Sequence, residues 1–156
     1  MKKLTVRNLL ETLSHSVELP VISENSSLKD VVRAMVKGHR RRIVYVVDDD
    51  NKYKGAITLE ELKNVIFHFY LNSSIRDALV VTEHIDELFA AEKAGDFMNP
   101  DLIVCRENDT LHDVIIRMNE WNVLDIPVLD QGGRVLADLD ILCLLELWLK
   151  KGDEAF

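Results

Sequence analysis

A twelve-residue string that occurs twice constrains this chain more than any other feature. Glu24–Met35 reads ENSSLKDVVRAM and Glu107–Met118 reads ENDTLHDVIIRM, a constant offset of 83 residues with six of twelve positions identical. Ser27 over Thr110 and Val32 over Ile115 are conservative pairs among the rest. The correspondence continues with a one-residue slip: Ile43-Val44-Tyr45-Val46-Val47-Asp48 lies over Asp125-Ile126-Pro127-Val128-Leu129-Asp130, and Gly55 over Ala137. Upstream, Val6-Arg7-Asn8-Leu9-Leu10 matches Gly95-Asp96-Phe97-Met98 in kind, each a short helical turn leading to a strand. Two copies of this length make a duplicated unit, since an open solenoid needs three or more.

Each copy gives the same order of elements. Val21-Ile22-Ser23 and Leu102-Ile103-Val104-Cys105 are short β-rich runs. Ser27-x-x-Asp30 and Thr110-x-x-Asp113 then place a hydroxyl at a helix N-cap and an acid at N3, where both satisfy free amide donors and the helix dipole. Leu28, Val31, Val32 and Met35, like Leu111, Val114, Ile115 and Met118, recur at helical spacing and mark one buried face. Gly38 ends the first helix, and the β-branched run Ile43–Val47 reads as a buried strand. Turns at Asp48–Asn51 and Asp130–Gly133 lead to further strands at Tyr53–Thr58 and Arg134–Leu139, then to helices over about Leu59–Leu71 and Ile141–Lys150. The expected fold class is therefore α/β, with the order β-α-β-β-α twice.

Between the copies Ser74-x-x-Asp77 opens a helical stretch reaching about Lys93, with Leu79, Ile85, Leu88 and Phe89 as apolar positions. No Pro-, Gly- or Ser-rich segment divides the chain. The expected organisation is a first repeat over 1–72, a helical connector over 73–93 and a second repeat over 94–156.

Composition narrows the function. The apolar fraction of 47% suffices for a packed interior, and 27 acids against 19 bases give a formal charge of −8. Such a chain repels nucleic acid and anionic membrane overall, so phosphate contacts must come from a local basic cluster. No segment approaches the roughly 20 apolar residues of a membrane helix. Met1-Lys2-Lys3-Leu4-Thr5 has neither the apolar core nor the cleavage site of a secretory signal. Cys105 and Cys143, without CxxC spacing, read as reduced core thiols of a cytoplasmic protein.

The string Ala94-Gly95-Asp96-Phe97-Met98-Asn99-Pro100, then Glu107–Leu111, Met118, Ile126–Asp130 and Gly133–Leu136, resembles a cystathionine-β-synthase (CBS) domain. The first copy resembles it through Ser27-Leu28, Met35, Val46-Val47-Asp48 and Gly55–Leu62. The resemblance implies a tandem CBS pair, or Bateman module: two repeats with pseudo-two-fold symmetry packed sheet to sheet, commonly a homodimer. It also implies a regulatory role, with an adenosyl ligand such as AMP, ADP, ATP or S-adenosylmethionine held between repeats and no required cofactor. In that family Gly-x-x-Thr/Ser-x-x-Asp supplies a hydroxyl and a carboxylate for ribose, and basic residues at the start of the partner repeat's central strand take phosphates. Carried over, the first copy offers Gly55, Thr58 and Glu61, with Glu where Asp is usual. The second offers Ala137, Asp140 and Cys143. His39-Arg40-Arg41-Arg42 stands at the strand start in the first copy, and Leu124-Asp125 in the second. The ligand residues expected from the resemblance are Arg41, Arg42, Thr58, Glu61 and Asp140. Family pairing would set the arginines toward Asp140, and Thr58 with Glu61 toward Asp125.

Plainer readings stand beside these. Thr58-x-x-Glu61 is also a capping box, and such boxes open many helices that bind nothing. Arg40–Arg42 serves equally as a solvated patch or as a phosphate clamp, for which guanidinium groups suit bidentate contacts. His15, His39, His68, His84 and His112 show no metal-ligand spacing. Phe67-His68-Phe69-Tyr70 and Leu144–Leu149, with Trp148, are too apolar for lone surface helices and suggest core or subunit packing. No nucleophile elbow, HExxH, phosphate-binding glycine loop or Rossmann fingerprint points to an enzyme. A nucleotide-sensing module, a ligand-free dimerisation or docking module, and an enzyme with an unrecognised site remain as the three classes.

Overall fold

The computed structural model describes residues 3–12, 19–37, 42–72 and 93–156. Along the chain its elements are α1 (Val6–Thr12), β1 (Val21–Ser23), α2 (Leu28–Lys37), β2 (Ile43–Val47), β3 (Tyr53–Thr58), α3 (Leu59–Asn72), α4 (Ala94–Phe97), β4 (Cys105–Arg106), α5 (Leu111–Glu120), β5 (Asp125–Leu129), β6 (Val135–Asp140), α6 (Ile141–Lys151) and a closing 3-10 turn (Gly152–Ala155). Two compact units result, Pro20–Leu102 and Met1–Leu19 with Ile103–Phe156.

Each unit holds a three-stranded sheet, β1-β2-β3 or β4-β5-β6, with the central strand parallel to the first and antiparallel to the third. The registers coincide as the repeat requires: Ile22 faces Val46 as Cys105 faces Val128, and Ile43 faces Thr58 as Asp125 faces Asp140. Leu28 and Leu111 are both 0% exposed, at matching positions on α2 and α5. Around them gather Val31, Met35, Val44, Val46 and Ile57 in one core, and Val114, Met118, Ile126, Val128 and Leu139 in the other. The expected strand at Leu102–Cys105 forms only at Cys105–Arg106, because these two residues alone find partners on β5.

The caps explain where the helices begin. Ser27 Oγ accepts from the Asp30 N–H, and Asp30 Oδ2 accepts from the Ser27 N–H. Thr110 Oγ1 accepts likewise from the Asp113 N–H, but among the described residues the Asp113 carboxylate returns no bond, so the second copy forms only half of the expected pair. The β-hairpin turns match just as closely. Asp48 Oδ1 accepts from the N–H groups of Asp50 and Lys52, and Asp130 Oδ1 from those of Gly132 and Arg134. Asn51 at φ 63° and Gly133 at φ 82° occupy the left-handed positions that let the chain reverse.

The Lys52 N–H bond is the largest influence holding the Asp48 carboxyl below its ordinary value of 3.8, helped by the Asp50 N–H and by Lys54 Nζ at 3.8 Å. A carboxylate whose pKa is lowered by folding stabilises fully above 3.8 and loses that contribution as pH falls through the lower folded value. Asp48→Asn should therefore flatten the acid limb of stability against pH. Urea midpoints taken from neutrality downward check this, and an acid limb as steep as the parent's would contradict it.

The short helices leading into the copies do not stay with the copy they precede. In the unit containing the second copy, the N–H groups of Val6 and Arg7 donate to the carbonyls of Asp109 and Glu107, and Leu111 N–H donates to Leu4. In the other unit, the N–H groups of Ala94 and Gly95 donate to Ser26 and Glu24. Since Asp109 and Glu107 correspond to Ser26 and Glu24, the same pair of bonds is made twice, with the leading segments exchanged. Val6 and Leu9 thereby enter the second copy's core, and Ala94, Phe97 and Met98 pack on the first copy's.

After α4 the exchanged segment crosses β3, where Ala56 and Asn99 exchange both backbone bonds, 3.1 and 2.8 Å. A Cβ on Gly55 would meet the Asn99 carbonyl oxygen at 2.7 Å, so this crossing requires glycine. Gly38 and the connector over 73–92 lie outside the described residues.

Candidate functional site

In the unit of the first copy, β3 runs directly into α3 and makes a sharp corner at Thr58. The Thr58 hydroxyl oxygen accepts from the Glu61 N–H at 3.2 Å, while Glu61 Oε2 accepts from the Thr58 N–H at 3.0 Å. The capping role foreseen for this pair is therefore formed. The Thr58 O–H and Glu61 Oε1 take no part in the cap and have no partner among the described residues, which leaves them to a ligand. Leu59 N–H donates to the Arg42 carbonyl at 2.8 Å, which brings the start of β2 beside the corner. Arg42 is exposed. A hydroxyl, a carboxylate and a guanidinium-bearing residue thus meet at the N-terminus of a 14-residue helix, an end that favours anions. Arg41, with His39 and Arg40, lies outside the described residues.

The second copy builds the same corner with different chemistry. Ile141 N–H donates to the Leu124 carbonyl at 2.9 Å, and Asp140 caps α6 by accepting the Cys143 N–H at 2.9 Å. Asp140 faces Asp125 across the antiparallel pair, and Asp138 lies two residues back on the same face of β6. Carboxylate oxygens of Asp125, Asp138 and Asp140 fall within 4.8 Å of one another. Among the described residues this is the group whose donors could hold a hard cation, and its charge opposes phosphate. Burial, reinforced by Asp140, pushes the Cys143 thiol up to about 11. Burial likewise pushes Cys105 up to about 12, so both thiols stay protonated and suit packing better than nucleophilic chemistry.

A duplicated three-stranded unit with a capped strand-to-helix corner matches the CBS domain model, which aligns to residues 4–68 and 94–141. The chain belongs to the CBS domain family. Among solved structures, a CBS domain-containing protein of Thermotoga maritima shares 24% identity, with 98% of this chain and 100% of that one covered and a TM-score of 0.72. The CBS-pair protein CBSX2, whose structure from Arabidopsis thaliana is also known, is similar in its complex with AMP: 19% identity, 94% and 97% covered, TM-score 0.70. The CBS domain pair of protein MJ0100, in complex with 5′-methylthioadenosine and S-adenosyl-L-methionine, gives 18% identity, 96% and 99% covered, and a TM-score of 0.66. A homoserine O-acetyltransferase of Methanosphaera stadtmanae is 24% identical over 140 residues, 90% of this CBS pair but only 24% of that enzyme's length. No helix among the described residues is long and apolar enough to cross a membrane.

Proposed function

We propose that this CBS pair is a non-catalytic regulatory module that binds an adenine nucleotide or a related adenosyl ligand. The observation that carries the reading is the hydrogen bond from Leu59 to Arg42, which gathers Arg42, Thr58 and Glu61 at one helix N-terminus. The complexes of similar pairs with AMP and with adenosyl thioethers support the ligand class. Arg41 and Arg42 take the phosphates, and the Thr58 hydroxyl and Glu61 Oε1 address ribose hydroxyls. Asp140 accepts from a ribose hydroxyl at the second copy's corner, where the three carboxylates disfavour phosphate. The free thiols of Cys105 and Cys143 suit a cytoplasmic setting.

Replacing Arg41 and Arg42 together by Ala should weaken ATP by about tenfold or more, the scale of lost charge-assisted bonds, and leave adenosine nearly unaffected. Calorimetric titration of both ligands measures this. Equal weakening of the two, or no change, would make the arginines surface charge.

A second reading concerns assembly. Along α6, Leu142 at 69% exposure, Leu145, Trp148 and Leu149 at 78% form an apolar stripe, and α3 exposes Phe67 and Leu71. The side chains of His68, Phe69 and Tyr70 lie outside the described residues. Such surface favours a homodimer, the role that remains if no ligand binds. Light scattering should give twice 17.9 kDa, and a monomer mass at micromolar concentration would contradict it.

A further inference from the structure

Away from the corners, a groove of about 320 Å³ opens between α1 and the last turn of α6, lined by Lys3, Leu4, Asn8, Leu9, Glu11, Thr12, Leu147 and Lys151. Its volume is at the lower end for small-molecule sites and suits a molecule of amino-acid size. Leu9 and Leu147 belong to the packed core, so the apolar floor is held in place, with Leu4 packed against that core. The rim is charged in an unusual way for a chain of net −8. Lys3 and Lys151 come from different elements, and neither makes an ion pair among the described residues, nor does Glu11. Asn8 Oδ1 accepts from both the N–H and the hydroxyl of Thr5, which fixes the amide and leaves its NH₂ as a donor without a partner among the described residues.

A simple anion would use the two ammonium groups but meet Glu11 as an opposing charge, and a purely apolar ligand would leave all three charges unused. A zwitterion with a branched aliphatic body uses every group: carboxylate to Lys3, Lys151 and the Asn8 amide, ammonium to Glu11, and hydrocarbon against Leu4 and the edges of Leu9 and Leu147 that reach the groove. We propose that this groove is a binding site for an aliphatic α-amino acid, independent of the adenosyl ligand.

The test is a heteronuclear NMR titration of the isotope-labelled chain with leucine, isocaproate, which lacks the ammonium, and isoamylamine, which lacks the carboxylate. Leucine should give saturable shifts at the Asn8 side-chain amide and at Lys151, and bind more tightly than either analogue. Lys3→Gln with Lys151→Gln should weaken leucine by roughly tenfold or more, since each lost contact is charge-assisted. Glu11→Gln should remove the preference for leucine over isocaproate, and retained spectral dispersion shows that the variants are folded. Absence of saturable shifts at these residues, equal binding of the three probes, or variants that bind leucine like the parent would each overturn the proposal.

Discussion

Val6→Asp is expected to unfold the unit that contains the second copy, although the whole first copy lies between Val6 and that copy in the chain. Val6 is 0% exposed within the core formed by Leu111, Val114, Ile126 and Leu139. A carboxylate there would sit among the apolar residues of this core, and leaving one unpaired charge buried typically costs about 3–5 kcal/mol. That is comparable with the whole stability of a small domain. The placement of the chain's fluorophores makes the outcome easy to localise. Both tryptophans, Trp121 and Trp148, lie in the unit that α1 joins. Urea unfolding followed by tryptophan emission should therefore show the loss directly. An unchanged tryptophan transition in the Val6→Asp protein would mean that α1 does not belong to this core.

The second large effect falls on the duplicated leucines. Leu28→Ala and Leu111→Ala each remove a fully buried side chain capped on one side by a helix and on the other by a sheet, and each should lower stability by about 2–5 kcal/mol. Because the two sites occupy equivalent environments, the losses should agree with each other more closely than with those of other core leucines. Leu111→Ala should move the tryptophan transition, while Leu28→Ala, whose unit holds Tyr45 and Tyr53 but no tryptophan, should be read by circular dichroism. A loss within about 0.5 kcal/mol at either site, the range of surface substitutions, would contradict its burial, and widely unequal losses would contradict the equivalence.

What the sequence disclosed was local in origin. The Ser27 capping pair, the Thr110 N-cap, the Asp48 and Asp130 turns, and the buried faces of α2 and α5 each depend on residues within one or two turns of chain, so the local sequence announced them. The one-residue slip between copies reappears in the parallel pairs, where Ile22 faces Val46 and Cys105 faces Val128.

The exchange of α1 and α4 was not legible, because a short helix carries no mark of which distant sheet it will cover. Nor was the reason for Gly55 opposite Ala137: it lies in the Asn99 carbonyl that crosses β3, a contact made across more than forty residues. Asp138 escaped notice for a related reason. Only the antiparallel pairing of Asp125 with Asp140 turns two separated acids and their neighbour into one cluster. Ile103 and Val104 have the β-branched character of a strand, yet β5 offers them no partner.

The central claim, that this CBS pair is a ligand-binding regulatory module, is tested most directly by isothermal calorimetry of the full chain with AMP, ADP, ATP and S-adenosylmethionine in turn. The account predicts saturable binding of at least one of them, with phosphate-bearing ligands weakened by added salt because Arg42 lies exposed. No heat of binding from any of the four, with melting temperature unmoved by each at millimolar concentration, would contradict it.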